Sequence, residues 1–146
     1  MSCPNDIACV AVGGGGTILT SADSGVTWTN QASGTGTNLS GVSCPSVSLC
    51  VAVGFGGPIL TSEDGGGTWT IQTSGAGNSL GGVSCPSVRS CVAVGGAGAI
   101  LTSADGGINW TSQISGTGNG LGGVSCLSIS ACVAVGQGGT ILQWRG

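Results

Sequence analysis

Residues 39–73 read LSGVSCPSVSLCVAVGFGGPILTSEDGGGTWTIQT, and this stretch decides the fold. It holds four short extended runs, Leu39 to Cys44, Leu49 to Gly54, Pro58 to Ser62 and Thr68 to Thr73, each bounded by Gly, Pro, Ser or Asp. The runs are rich in Val, Ile, Thr and Trp, which suit a pleated, half-buried surface. Glycine recurs too often for a helix of about ten residues to survive. The stretch is also one period of a repeat. Cys3, Cys44, Cys85 and Cys126 stand 41 residues apart, as do Cys9, Cys50, Cys91 and Cys132, and as do Trp28, Trp69 and Trp110. Such a period belongs either to propeller blades or to stacked helix pairs, and four strands per period select the blade.

The predicted fold is therefore all-β, a β-propeller of 41-residue four-stranded blades with about three and a half blades per chain. The chain reads as a single repeat domain, 1–146, with blade 1 about 1–32, blade 2 about 39–73, blade 3 about 80–114 and an incomplete blade 4 about 121–146. Gly-rich stretches such as 34–36 and 75–77 read as connections between blades. The Cys-Val-Ala-Val-Gly run occurs in all four repeats, and its small alternate side chains suit close packing between neighbouring sheets.

Composition removes most chemistries. The chain has 32 Gly, no His, no Tyr, one Phe and 5% charged residues. Its two basic residues, Arg89 and Arg145, cannot neutralise several phosphates, which argues against a nucleic-acid partner. A net charge of -3 gives little electrostatic protection against self-association. No apolar run is long enough to span a bilayer.

Eight regularly spaced cysteines point to an oxidising compartment and a disulfide framework, hence to an extracellular or cell-surface location. Residues 1–20 show no basic segment followed by an apolar one, so no signal peptide is visible. Each Cys-x5-Cys pair lies at the end of one strand and the start of the next, where a hairpin brings two sulfurs within bridging distance. The expected bridges are Cys3 to Cys9, Cys44 to Cys50, Cys85 to Cys91 and Cys126 to Cys132. Zinc is the rival, but pairs one blade apart would not converge on a four-ligand site. No metal and no cofactor is predicted.

A second motif, Ser-x-Asp-x-Gly-x-x-Trp, occurs three times in register: Ser21, Asp23, Gly25, Trp28; Ser62, Asp64, Gly66, Trp69; and Ser103, Asp105, Gly107, Trp110. An Asp carboxylate can accept from amides of its own turn, Gly permits a positive φ, and Trp returns a large apolar surface to the blade. The motif reads as a self-contained hairpin turn. These residues resemble the Asp-box (BNR) repeat of sialidases and of photosystem II assembly-factor propellers, and the resemblance covers nearly the whole chain. It implies a structural turn between the third and fourth strands of each blade, away from any active site. Asn109 stands where Thr27 and Thr68 precede the Trp. The fourth repeat departs further, since Trp144 aligns with Ser21 and not with Trp28.

Sialidase activity does not carry over. That chemistry needs an arginine cluster, a tyrosine nucleophile and acidic partners. Here Asp23, Asp64 and Asp105 are committed to turns, leaving only Asp6 and Glu63. Gly77-Asn78-Ser79-Leu80-Gly81 matches a nucleophile elbow, yet no histidine exists to serve Ser79. Gly118, Gly120 and Gly123 match a dinucleotide fingerprint, but a strand follows them where a helix is required. Asn38 and Asn109 open formal glycosylation sequons that overlap strand or turn positions. No catalytic residue is assigned, and the chain is read as a non-enzyme.

By repeat phase, the first residue enters near the end of a first strand and the last leaves at the end of a third. Closure is what protects propeller edges, so the chain either closes poorly by itself, is cut from a longer one or completes its edges with other copies; the expectation is a non-catalytic scaffold that self-associates as a homo-oligomeric ring or filament. The alternative is a multivalent module with a glycan or protein ligand. A photosystem II type assembly factor ranks behind both, for want of basic residues in a docking patch. Trp144 and Arg145 are the interface candidates, as Trp and Arg are favoured in binding hot spots, against a plain strand end covering the last blade.

Overall fold

The computed structural model describes residues 1–145, and every regular element among them longer than a single turn is a strand. In chain order the strands are β1 (Cys9–Val12), β2 (Ile18–Ser21), β3 (Thr29–Gln31), β4 (Leu39–Ser43), β5 (Cys50–Gly54), β6 (Ile59–Ser62) and β7 (Thr70–Gln72). They continue as β8 (Leu80–Ser84), β9 (Cys91–Gly95), β10 (Ile100–Ser103), β11 (Thr111–Gln113), β12 (Leu121–Ser128), β13 (Ala131–Gly136) and β14 (Ile141–Arg145). They form antiparallel meanders in the order β1-β2-β3, β4-β5-β6-β7, β8-β9-β10-β11 and β12-β13-β14. Two four-stranded blades thus lie between two three-stranded ones. In the first blade Ser2 bridges Val10 through reciprocal bonds of 2.8 Å, at the place of an innermost strand.

Strands β4 to β7 lie inside the four predicted runs and are shorter at the ends. Cys44 and Leu49 belong to the disulfide hairpin, and Pro58 has no N–H for a ladder. Thr68 and Trp69 belong to the turn before β7. The same reasoning explains why β12 runs on to Ser128. Leu127 replaces the proline found at positions 4, 45 and 86, and Ser128 then pairs with Ala131.

The core lies between the sheets. Val51, Val53 and Ile59 of blade 2 pack on Leu80, Val83, Cys85, Cys91, Ala93 and Leu101 of blade 3. Equivalent clusters join blade 1 to blade 2 and blade 3 to blade 4. At each of the three interfaces the valines of one Cys-Val-Ala-Val run meet the cysteine and alanine of the next, so large side chains meet small. Complete burial of each valine contributes about 1.5 to 3 kcal/mol. The glycine that ends the run is fixed by space. A Cβ on Gly95 would lie 2.2 Å from the Ser79 carbonyl oxygen and 2.9 Å from Leu80 Cα, beside the register shift between Leu80 and Gly82.

One polar contact recurs at each interface. The Cys44 amide donates to Ser2 Oγ at 3.0 Å, the Cys85 amide to Ser43 Oγ at 3.0 Å and the Cys126 amide to Ser84 Oγ at 3.1 Å. Each serine sits one residue before a cysteine and accepts from the cysteine of the following blade, satisfying an amide that the inner strand leaves free.

Candidate binding site

The three Ser-Asp-Trp turns connect the third strand of a blade to its fourth. In blade 2, Ser62 Oγ donates to Asp64 Oδ1 at 2.9 Å and accepts from the Gly66 amide at 2.8 Å. Asp64 accepts from the Thr68 amide at 2.8 Å and from the Thr68 hydroxyl at 2.7 Å, and Trp69 Nε1 donates to the Gly66 carbonyl at 2.8 Å. Gly66 holds φ at 97°, where a side chain would be strained. The same network ties Ser21, Asp23, Gly25 and Trp28, and also Ser103, Asp105, Gly107 and Trp110. Asn109 does the work of the threonine, its side-chain amide donating to Asp105 Oδ2 at 2.7 Å. The threonine hydroxyls were not assigned from sequence; their signal is the Thr one position before Trp28 and Trp69.

These bonds stabilise the carboxylates as anions. The Thr27 hydroxyl, then its amide, lowers Asp23 from 3.8 to about 2, and Thr68 does the same to Asp64. Asp105 is lowered chiefly by the Asn109 amide and side chain. All three are acceptors already in use, and they are poorly suited to proton transfer at neutral pH.

The turns are self-contained neither in their hydrogen bonds nor in their packing: the Ser24, Gly65 and Gly106 amides donate to the carbonyls of Ile7, Ser48 and Arg89 in the disulfide hairpins of their own blades, at 3.0, 2.8 and 2.8 Å. A side chain at Gly66 would meet Thr20 Cγ2 at 3.0 Å and Val10 Cγ2 at 3.2 Å, both on the preceding blade. Trp69 and Trp110 pack on the clusters between blades. Trp28 has no blade behind it among the described residues and stays 37% exposed.

All four hairpin disulfides form, Cys3 to Cys9, Cys44 to Cys50, Cys85 to Cys91 and Cys126 to Cys132, which leaves no thiolate for zinc. Ser79 Oγ accepts from the Gly56 amide at 3.0 Å, and Asn38 Oδ1 accepts from the Gly15 amide at 2.8 Å. Both side chains are pegs between blades. Asp6, in the first disulfide hairpin, and Glu63, between Ser62 and Asp64 of the second turn, are exposed.

Blade 4 departs from this pattern at two positions. Gln143 stands where Thr61 and Thr102 stand, and Trp144 where Ser62 and Ser103 stand. Without the serine hydroxyl the Ser-Asp turn cannot form from β14. Trp144 instead packs on the cluster between blades 3 and 4, the role that Trp69 and Trp110 have at the earlier interfaces. The outer edge of β14 pairs with no strand among the described residues, whereas β6 and β10 are covered by β7 and β11. Beside that edge lies a groove of about 370 Å³, lined by Ile100, Thr102, Gln113 and Ile114 of blade 3 and by Leu142 and Trp144 of β14. Ile114 is 99% exposed. Arg145 is exposed at the end of the same strand. A second cavity, of about 430 Å³, lies where Leu80, Gly81, Leu121 and Gly122 begin their inner strands, and no ionisable side chain lines it.

No family model and no curated protein sequence matches the chain. Solved structures do. A YCF48 protein bound to a D1 peptide superposes with a TM-score of 0.80 at 22% identity, over 99% of this chain and 48% of that one. YCF48 from Cyanidioschyzon merolae gives a TM-score of 0.74 at 18% identity, over 94% of this chain and 50% of that one. A GH74 enzyme of Niastella koreensis gives 0.64 at 18% identity, over 87% of this chain and 25% of that one. The chain thus spans about half the length of the YCF48 proteins. At these identities the likeness is one of fold: the chain is built of β-propeller blades.

Proposed function

We propose that this chain is a non-catalytic, protein-binding propeller module that takes an extended polypeptide segment along the outer edge of β14. The observation that carries the reading is the unpaired edge of β14 beside the groove of Ile100, Ile114, Leu142 and Trp144. An open edge supplies main-chain hydrogen bonds, and a flanking apolar groove supplies side-chain selection, which is the logic of strand addition. The blades themselves supply a template for the occupant. β11 covers β10 with a Thr-Ser-Gln segment, and Gln113 Nε2 donates to Thr102 Oγ1 at 2.9 Å. The likeness to YCF48, solved with a peptide, supports a polypeptide ligand.

The reading replaces a self-associating scaffold as the main function. A glycan ligand is less favoured, because the three repeated tryptophans spend their Nε1 groups inside turns. The chain is further read as an Asp-box repeat protein, on the strength of the three Ser-Asp-Gly-Trp networks. It is read as extracellular or cell-surface, because four short-range disulfides belong to an oxidising compartment.

The probe is a synthetic peptide with the sequence of residues 108–116, which includes β11, titrated into isotope-labelled chain and followed by NMR. Saturable shifts centred on Leu142, Trp144 and Ile114, absent with a scrambled peptide, are expected. Shifts elsewhere, or none at the highest soluble concentration, would sink the proposal.

A further inference from the structure

The side chain that pegs one blade to the next is missing at one junction. Just before β4, Asn38 Oδ1 accepts from the Gly15 amide of blade 1 at 2.8 Å. Just before β8, Ser79 Oγ accepts from the Gly56 amide of blade 2 at 3.0 Å. Just before β12 the same repeat position is Gly120, which has no side chain to offer the corresponding amide of blade 3, that of Ala97. Ala97 is exposed, and its amide donates to no group among the described residues.

Two further features mark the same junction. Ala97 holds φ at 54° where the other blades have Gly15, Gly56 and Gly138. A left-handed backbone strains any residue with a Cβ, and such strain gathers at ligand sites. Gln137 of blade 4 lies over Gly120, its Oε1 accepting from the Gly120 amide at 3.3 Å. Its Nε2 has no acceptor among the described residues, and a Cβ on Gly120 would lie 3.7 Å from it. Two open donors, the Ala97 amide and Gln137 Nε2, therefore attend the place where the earlier junctions put a side-chain oxygen. The cavity of about 430 Å³ is at this place, lined by Ser79, Gly96, Gly120 and Gln137 with Leu80 and Leu121.

The chemistry of the junction selects its ligand. An acceptor oxygen is required, and the two existing pegs show that a neutral one, a carboxamide or a hydroxyl, suffices. A charged ligand finds no partner, because all seven charged side chains lie in the disulfide hairpins, the Ser-Asp turns or the end of β14, at the other ends of the strands. The cavity is of the size that small ligands fill. A sugar ring carries several neutral oxygens that accept and donate, on a body whose C–H faces suit Leu80, Leu121 and bare glycine backbone.

We propose that the junction of blades 3 and 4 binds a neutral sugar, one oxygen of which accepts from the Ala97 amide in place of the side chain that Gly120 lacks, while Gln137 Nε2 donates to another. The site is separate from the groove beside β14 and stands whether or not a peptide binds there. The turn tryptophans, which speak against a glycan at the turns, lie at the other ends of the strands and take no part.

The test is a titration of isotope-labelled chain with glucose, N-acetylglucosamine and the β1-4 dimer of each, followed by NMR. Saturable shifts at the Ala97 amide and the Gln137 side-chain amide are expected with at least one of the four. A dimer that binds more tightly than its monomer assigns a glycan chain, and equal binding assigns a free sugar. Gly120→Asn and Gly120→Ser, which supply the pegs of the earlier junctions, are each expected to weaken binding about tenfold, and Gln137→Ala about threefold. The thermal midpoints of the two peg variants are expected to be no lower than that of the parent. No saturable shift at Ala97 with any of the four overturns the proposal. So does binding unaltered in both peg variants, or N-acetylasparagine methylamide shifting Ala97 at lower concentration than every sugar, which would assign the site to a polypeptide side chain.

Discussion

The Cys85 amide donates to the Ser43 hydroxyl at 3.0 Å across the interface between the second and third blades. That bond holds the disulfide hairpin of one blade against the inner strand of the next, at a cysteine that is 8% exposed. Ser43→Ala leaves the amide with no partner. The expected loss is about 1 to 2 kcal/mol in urea unfolding. Ser125→Ala, whose hydroxyl takes no amide among the described residues, changes stability by less than about 0.5 kcal/mol.

The turn aspartates make stability acid-sensitive. Asp23 and Asp64 have folded values near 2 against 3.8 in the unfolded chain. A depressed carboxylate stabilises the fold fully above the unfolded value, and the contribution is lost as pH falls through the folded one. Thermal midpoints are expected to be level above about pH 5 and to fall between pH 3.8 and about 2. In Asp64→Asn the midpoint at neutral pH is lower and the acid drop is smaller. An unchanged acid profile would show that the Thr68 bonds do not bias this carboxylate.

Each disulfide closes a loop with a sequence separation of 6. By chain entropy such a loop contributes about 2 kcal/mol. Replacing Cys44 and Cys50 together by Ala is expected to lower unfolding stability by that amount, with the β fold retained in circular dichroism. Full reduction of all four bridges removes several times as much and is expected to broaden the thermal transition.

Gly95→Ala forces a methyl to within 2.2 Å of the Ser79 carbonyl oxygen, and the backbone around it belongs to a paired strand. Neither side can move without breaking the ladder. A loss of about 3 kcal/mol is expected. Gly118→Ala, where an added Cβ meets nothing within 4 Å, is the control and is expected to fold like the parent.

Much of this was legible in the sequence because it is local. The Cys-x5-Cys hairpins, the Ser-Asp turns and the short strands are each decided within a few residues by bond reach, φ preference and side-chain alternation. Repetition then multiplies the signal. Thr68 and Asn109 were less legible, since two different side chains meet the same carboxylate oxygen. For Trp144 the sequence supports two readings, an interface anchor and a strand end covering the last blade. It packs, from the repeat position of Ser103, on the cluster between blades 3 and 4, as the strand-end reading has it.

The sequence by itself determined that the chain is a run of 41-residue β blades, each tied by a hairpin disulfide, with a Ser-Asp turn in the first three. Only the tertiary structure decided what lies between the blades. The serine-to-cysteine bonds, the packing of the second and third turns on the blade before them and the groove beside β14 all depend on the pitch from one sheet to the next. That pitch is set by large valines meeting small cysteines and alanines across an interface, a distance in space that residue spacing along the chain does not encode.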